Sequence, residues 1–289
     1  VAGHPPGALL SFVLLDRVGL GGPGWAAALC IAGGALTVPA VLVTVRAVAD
    51  EAAARTVAPF AVLFPGAVWV ATSADGFFAG VAAWGVALLA LAARRNSLTR
   101  ALAGGLLLGL SLFLSFGLAA AGLIALAAVA VQARTLGWAG VVRVLGTAAV
   151  GVIAVVAVFT VGGYWWFDGI VVDAQRVRDG AAYEDRVAHA SYFLWSNAAA
   201  AAIAVGPAVV AGLAGLRGRL LFLPLAAIAG MAVSDGSGLV LGETERIWLA
   251  FVVWLLPATA TLPPRSQRFW LALSALFAIA VEVVVRSPW

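Results

Sequence analysis

Four short stretches of this sequence hold residue types that could do chemistry, and they stand far apart in the chain. The first is His4-Pro5-Pro6-Gly7. Two prolines fix an extended backbone and keep His4 out of any helix. Its imidazole is either a preorganised ligand or proton-transfer group, or the entry to a helix with proline at its first position. The second is Thr72-Ser73-Ala74-Asp75-Gly76-Phe77-Phe78. Asp75 either caps the helix that follows or turns a carboxylate into a cavity at a membrane boundary, where an acid is a functional candidate. The third is Gly242-Glu243-Thr244-Glu245-Arg246-Ile247-Trp248-Leu249. A guanidinium there can fork onto a phosphate at headgroup depth; the alternative is a local Glu245–Arg246 pair reaching for the interface. The fourth runs from Tyr164-Trp165-Trp166-Phe167-Asp168 through Arg176, Arg178, Tyr183, Glu184, Asp185, Arg186 and His189. Aromatics mixed with both charge signs suit sugar stacking and phosphate contact, and equally suit an ordinary solvated loop.

The elements that must position these residues are apolar. The chain is 64% hydrophobic and only 10% charged, with a mean hydropathy of +1.08. A soluble domain carries about 25% charged residues, so the composition predicts an all-α, polytopic transmembrane helical bundle with no soluble domain. Ten spans are expected: 25–48, 59–73, 77–93, 101–116, 118–132, 146–165, 192–216, 220–233, 247–262 and 269–285. The pair between Ala101 and Gln132 reads alternatively as one long tilted helix. Ala8 to Leu20, interrupted by Asp16 and Arg17, reads as an interfacial helix. Residues 1–289 are expected to form one membrane domain, with 1–23 an outer juxtamembrane segment, 24–289 the bundle, and outer loops at 166–191 and 234–246.

The few charges alternate along the chain. Arginine alone supplies the 17 basic residues, and eleven of them (46, 55, 94, 95, 100, 134, 143, 217, 219, 265 and 268) fall in alternate loops. Nine of the thirteen acids fall in the others. Arginine-rich short loops stay in the cytoplasm, which puts the four chemistry-bearing stretches on the outer side. The isoelectric point near 10.2 then reports topology rather than a nucleic-acid stripe, and no nucleic-acid partner is expected. The lone Cys30 excludes an intramolecular disulfide and reads as a buried, inert thiol. There is no Walker, Rossmann, HExxH or GxSxG pattern. Two histidines do not make a dedicated zinc site; a divalent ion on Asp75 and another acid stays open, and no other cofactor is indicated.

Taken together, the order and side of these motifs resemble the membrane glycosyltransferases of the GT-C superfamily, in particular the bacterial branch related to protein mannosyltransferases and aminoarabinose transferases. His4-Pro5-Pro6-Gly7 is similar to that family's His/Lys-Pro-Pro-Leu segment, Ser73-Ala74-Asp75 to its small-residue-Asp motif, and Glu245-Arg246-Ile247-Trp248-Leu249 with Pro257 to its Arg-Tyr-Leu-Leu-Pro-like helix entry. Asp75 follows His4 by 71 residues, as the family would have it. Gly7 departs from the usual leucine, and Ser115-Phe116-Gly117 lacks the lysine often found there. The resemblance implies transfer of a sugar from a polyprenyl-phosphate donor to an acceptor at the outer face of a bacterial cytoplasmic membrane. It implies His4 and Asp75 as supporting catalytic groups, and Glu243, Glu245, Arg246, Trp166, Arg176 and Arg178 as substrate-binding residues. It also implies a first helix and an acidic loop carrying the principal base ahead of His4, so the chain is expected to be a fragment and inactive alone. A multi-pass transporter and a non-catalytic membrane protein are the rival readings.

Overall fold

The computed structural model describes residues 4–71, 73–180, 185, 188, 190–240 and 242–285, and all regular structure among them is helical. The helices are α1 (Pro6–Arg17), α2 (Pro23–Ala35), α3 (Thr37–Val48), α4 (Glu51–Val62), α5 (Asp75–Arg95), α6 (Leu98–Leu112), α7 (Ala121–Ala130), α8 (Ala133–Val161), α9 (Trp166–Arg178), α10 (Ala190–Leu213), α11 (Phe222–Gly236), α12 (Thr244–Ile247), α13 (Leu249–Val252) and α14 (Gln267–Val284). Short 3₁₀ turns at Pro65–Trp69, Phe116–Ala120, Gly218–Leu221 and Val253–Thr261 join them.

Among the described residues six segments are long and apolar enough to cross a membrane: Pro23–Val48, Asp75–Arg95, Ala133–Val161, Ser191–Leu213, Gly218–Gly236 and Gln267–Val284. Three more apolar helical stretches, Leu98–Leu112, Phe116–Ala130 and Leu249–Thr261, are shorter. Against the expected ten spans, the clearest difference is at 59–73. Asp50 caps α4 by accepting from the Ala53 amide at 2.8 Å, but the helix ends at Val62. Pro59 lies inside its last turn, and Pro65 restarts the chain as a 3₁₀ turn. A proline removes a backbone donor and clashes with the preceding turn, so two of them six residues apart prevent one continuous helix.

α5 is the axis of the molecule. It is rich in alanine and glycine, and most of its side chains are buried. A Cβ on Gly80 would run into the Gly33 carbonyl, so α2 and α5 touch backbone to backbone; small residues allow this close approach where no hydrophobic drive separates helix from lipid. α6 returns along α5, with Gly104 and Leu108 against Gly85, and packs most extensively on α8. α7 then runs back, and Gln132 just beyond it donates to the Ala90 carbonyl at 3.0 Å, near the far end of α5. The chain therefore reverses around Phe113–Ser115, so 101–132 is two antiparallel legs and not one tilted helix.

Four of the arginines expected to share one side, Arg46, Arg55, Arg94 and Arg143, gather at the far end of α5. Arg94 bonds the Arg46 carbonyl, Arg46 pairs with Glu51 at 2.8 Å, and Arg143 donates to Asn96 at 3.2 Å. The opposite end holds the N-terminus of α5. There α1 forms as expected, exposing Leu9, Leu10, Val13 and Leu14. The stretch 166–191, read from sequence as a loop, instead opens with α9, an amphipathic helix that buries none of its residues.

Candidate functional site

The ends of α1, α5, α9, α11 and α12 enclose a cavity of about 760 Å³. His4, Asp75, Ser115, Trp166, Glu243 and Arg246 are among the residues that line it. Six of the eight residues singled out in the sequence meet here: His4, Asp75, Trp166, Arg176, Glu243 and Arg246. Glu245 and Arg178 do not line the cavity, and Arg178 is exposed. Tyr183, Glu184, Arg186 and His189 lie outside the described residues.

Asp75 opens α5 but does not cap it by a side-chain bond. Its carboxylate is buried and accepts from Arg246 Nη1 at 2.6 Å and from Ser73 Oγ at 2.8 Å. The Ser73 hydroxyl in turn accepts from the Asp75 amide at 3.2 Å, which closes the turn and fixes the carboxylate. Arg246 spends its second terminal nitrogen on Glu243. One guanidinium thus bridges two carboxylates, one of them 171 residues away in sequence. Burial pulls the Arg246 pKa down, but the charges and hydrogen bonds of Asp75 and then Glu243 outweigh it and hold the pKa above its ordinary value. The cation persists at every pH at which a protein survives.

Glu243 faces Arg246 through an unusual backbone. Its φ is 59° and its ψ 17°, in the left-handed region that few non-glycine residues adopt, directly after Gly242 at φ 101°. Such conformations cost about 1–3 kcal/mol and cluster at binding and catalytic sites. Nothing in the sequence marks Glu243 over Glu245; the backbone decides which acid turns inward.

His4 stands edge-to-face on Phe78 at 5.6 Å, so the Pro5-Pro6 entry brings the imidazole to the first turn of α5. The departure at position 7 has a steric reason. Gly7 is buried, and a Cβ there would lie 2.5 Å from the Phe113 carbonyl oxygen, an oxygen that already accepts from the Ala8 amide at 3.2 Å. On the other side Trp166 donates from Nε1 to the Leu112 carbonyl at 2.9 Å and stands edge-on to Phe116 at 5.5 Å. These contacts hold α9 beside the cavity, where Asp173 and Arg176 form a second ion pair at 3.0 Å. Among the described residues no three His, Cys, Asp or Glu side chains are grouped to hold a metal ion. Asp75, where a divalent ion stayed open, pairs with the Arg246 guanidinium.

Sequence reading overlooked the supports of this site. Buried Asn197 donates to Asp235 at 2.8 Å and to the Val240 carbonyl at 3.0 Å, and accepts from Thr244 at 3.3 Å. A single amide in the run Ser196-Asn197-Ala198-Ala199 was the available signal, since polar groups in apolar spans need partners. No family model, curated protein or solved structure matches the chain.

Proposed function

We propose that this chain is a multi-pass membrane protein of the GT-C glycosyltransferase kind, taking a polyprenyl-phosphate-linked sugar into the cavity beside Asp75. The bilayer is its solvent, and the arginine end faces the cytoplasm by the rule that governs short basic loops. The observation that carries the reading is the bridge Asp75–Arg246–Glu243 at the wall of a cavity at one end of an apolar bundle.

A phosphate there competes with two carboxylates for one planar fork. Arginine suits this exchange because a phosphate can accept from two of its donors at once. Once the phosphate takes the guanidinium, Asp75 is free to accept a proton or orient a hydroxyl, held by Ser73 meanwhile. His4 stands near enough to the first turn of α5 to share that proton traffic, and the Trp166 and Phe116 rings offer the flat faces on which a sugar stacks. Positioning and fixed charge, rather than covalent chemistry by the protein, supply the acceleration in such a scheme.

The test is a binding titration on the full chain in detergent micelles, with polyprenyl monophosphate and unphosphorylated polyprenol as the paired probes. The expected result is a preference for the phosphate that Arg246→Ala removes. Equal affinity for the two lipids, or a preference that survives Arg246→Ala, overturns the assignment. The transporter reading draws on the helix breaks at Gly206-Pro207 and within 244–261, since interrupted helices line transport sites. Flux of a soluble sugar phosphate across vesicles holding the protein, without transfer, would favour it.

A further inference from the structure

We infer that Asn197, with Asp235 and Thr244, is the positioning device for Arg246: a buried polar clasp that fixes the turn carrying the arginine and so sets the cavity's affinity for a phosphate. The idea rests on the phosphate reading above only in its second half. The mechanical half stands by itself.

α12 is four residues long. One turn of helix fixes several dihedrals for a single hydrogen bond and does not form unaided. The residue just before α12, Glu243, adds a left-handed backbone. Something outside the turn must hold it. Two contacts do so, from two different helices. On one side Asn197 of α10, only 1% exposed, accepts from the Thr244 hydroxyl while its amide nitrogen donates to Asp235 at the end of α11 and to the Val240 carbonyl. On the other side Trp248, 3% exposed, donates from its indole to Ser234 Oγ at 3.0 Å. Thr244 and Trp248 bracket Arg246, and the Trp248 amide bonds the Thr244 carbonyl at 3.0 Å. The turn is clamped at both ends, and the arginine projects from between the clamps toward Asp75.

An amide can make this clasp and a carboxylate or aliphatic residue cannot. Asn197 uses donors and acceptor together, joining the carboxylate of one segment, the carbonyl of a second and the hydroxyl of a third. Removing it strands the buried Thr244 hydroxyl, where an unsatisfied polar group is expensive, and takes a donor from half-buried Asp235 and the Val240 carbonyl.

The experiment pairs hydrogen exchange with lipid binding on the full chain in detergent micelles, for wild type, Asn197→Ala and Thr244→Val. In both variants exchange at the Arg246, Ile247 and Trp248 amides is expected to accelerate at least tenfold, with α5 and α6 unchanged. Affinity for polyprenyl monophosphate falls at least tenfold while that for polyprenol stays within twofold; a general loss of structure would weaken both. Thr244→Val keeps the shape of the side chain and removes only the hydroxyl, so it decides the matter if Asn197→Ala does not fold. Unchanged exchange at those three amides in the folded variant overturns the clasp. Accelerated exchange with phosphate preference intact overturns its role in binding. Accelerated exchange with no phosphate preference in wild type leaves the clasp standing and removes the transferase reading instead.

Discussion

Two arginine–carboxylate clusters stand at opposite ends of α5, and each is the inverse of the other. At the far end one acid serves two arginines: Glu51 takes Arg46 at 2.8 Å and Arg55 at 3.1 Å. At the cavity one arginine serves two acids. The first cluster is made of neighbours in sequence and lies in the open, its side chains 49–80% exposed. The second joins residues 171 apart, and its central pair, Arg246 and Asp75, is 21% and 10% exposed. Pairing alone therefore says little. Water screens the outer cluster, whose worth is about 0–1 kcal/mol per pair. The inner one exists because the whole bundle brings it together, and a ligand in the cavity has to reckon with it.

The comparison is broken most severely by removing Asp75. Asp75→Ala leaves a largely buried guanidinium short of a partner and is expected to cost about 3–5 kcal/mol, read as a lowered unfolding midpoint in detergent. A second strong effect is steric. Gly7→Leu drives a side chain into the Phe113 carbonyl, at a cost of about 1–3 kcal/mol and a visible loosening of α1 in limited proteolysis. Glu243→Gln weakens one arm of the bridge where the acid is 40% exposed; about 1 kcal/mol is expected, with the Asp75 arm intact in a crystal or NMR structure. Glu51→Gln, the counterpart at the open end, should move stability by less than about 0.5 kcal/mol. Salt sharpens the contrast: raising ionic strength from 0.1 to about 1 M shortens the screening length from about 10 to 3 Å. That should erase what the Glu51 cluster contributes and leave the Asp75 bridge unmoved, measured as the salt dependence of each variant's midpoint.

The clustering at the two ends was legible because charge is sparse here. With so few charged residues, each loop declares its side, and the alternation of arginine loops with acidic ones already grouped Asp75 with Arg246. The entry motif at His4 was legible for the same local reason: two prolines and a glycine act on their own backbone. What escaped was whatever depends on packing between distant segments. The break after Val62 follows from Pro59 and Pro65, yet an apolar window reads across them. α9 was hidden because its apolar stripe is balanced by a charged face, so that an apolar window passes over it. Glu243 and Glu245 are the same residue type two positions apart, and only the left-handed turn separates their roles. Asn197 is a lone amide ahead of an alanine run, and only the fold brings Asp235, Val240 and Thr244 around it.

The separation of Asp75 from Arg246 has a consequence in time. A chain threaded into a bilayer as it is made exposes Asp75 long before its cation exists. At ~5–20 residues per second, the 171 residues from there to Arg246 take roughly 10–30 s to synthesise. During that interval the start of α5 holds a carboxylate with only Ser73 for company, at the edge of the apolar segment rather than within it. The Asp75–Arg246 bridge therefore cannot close until α10 and α11 have been made.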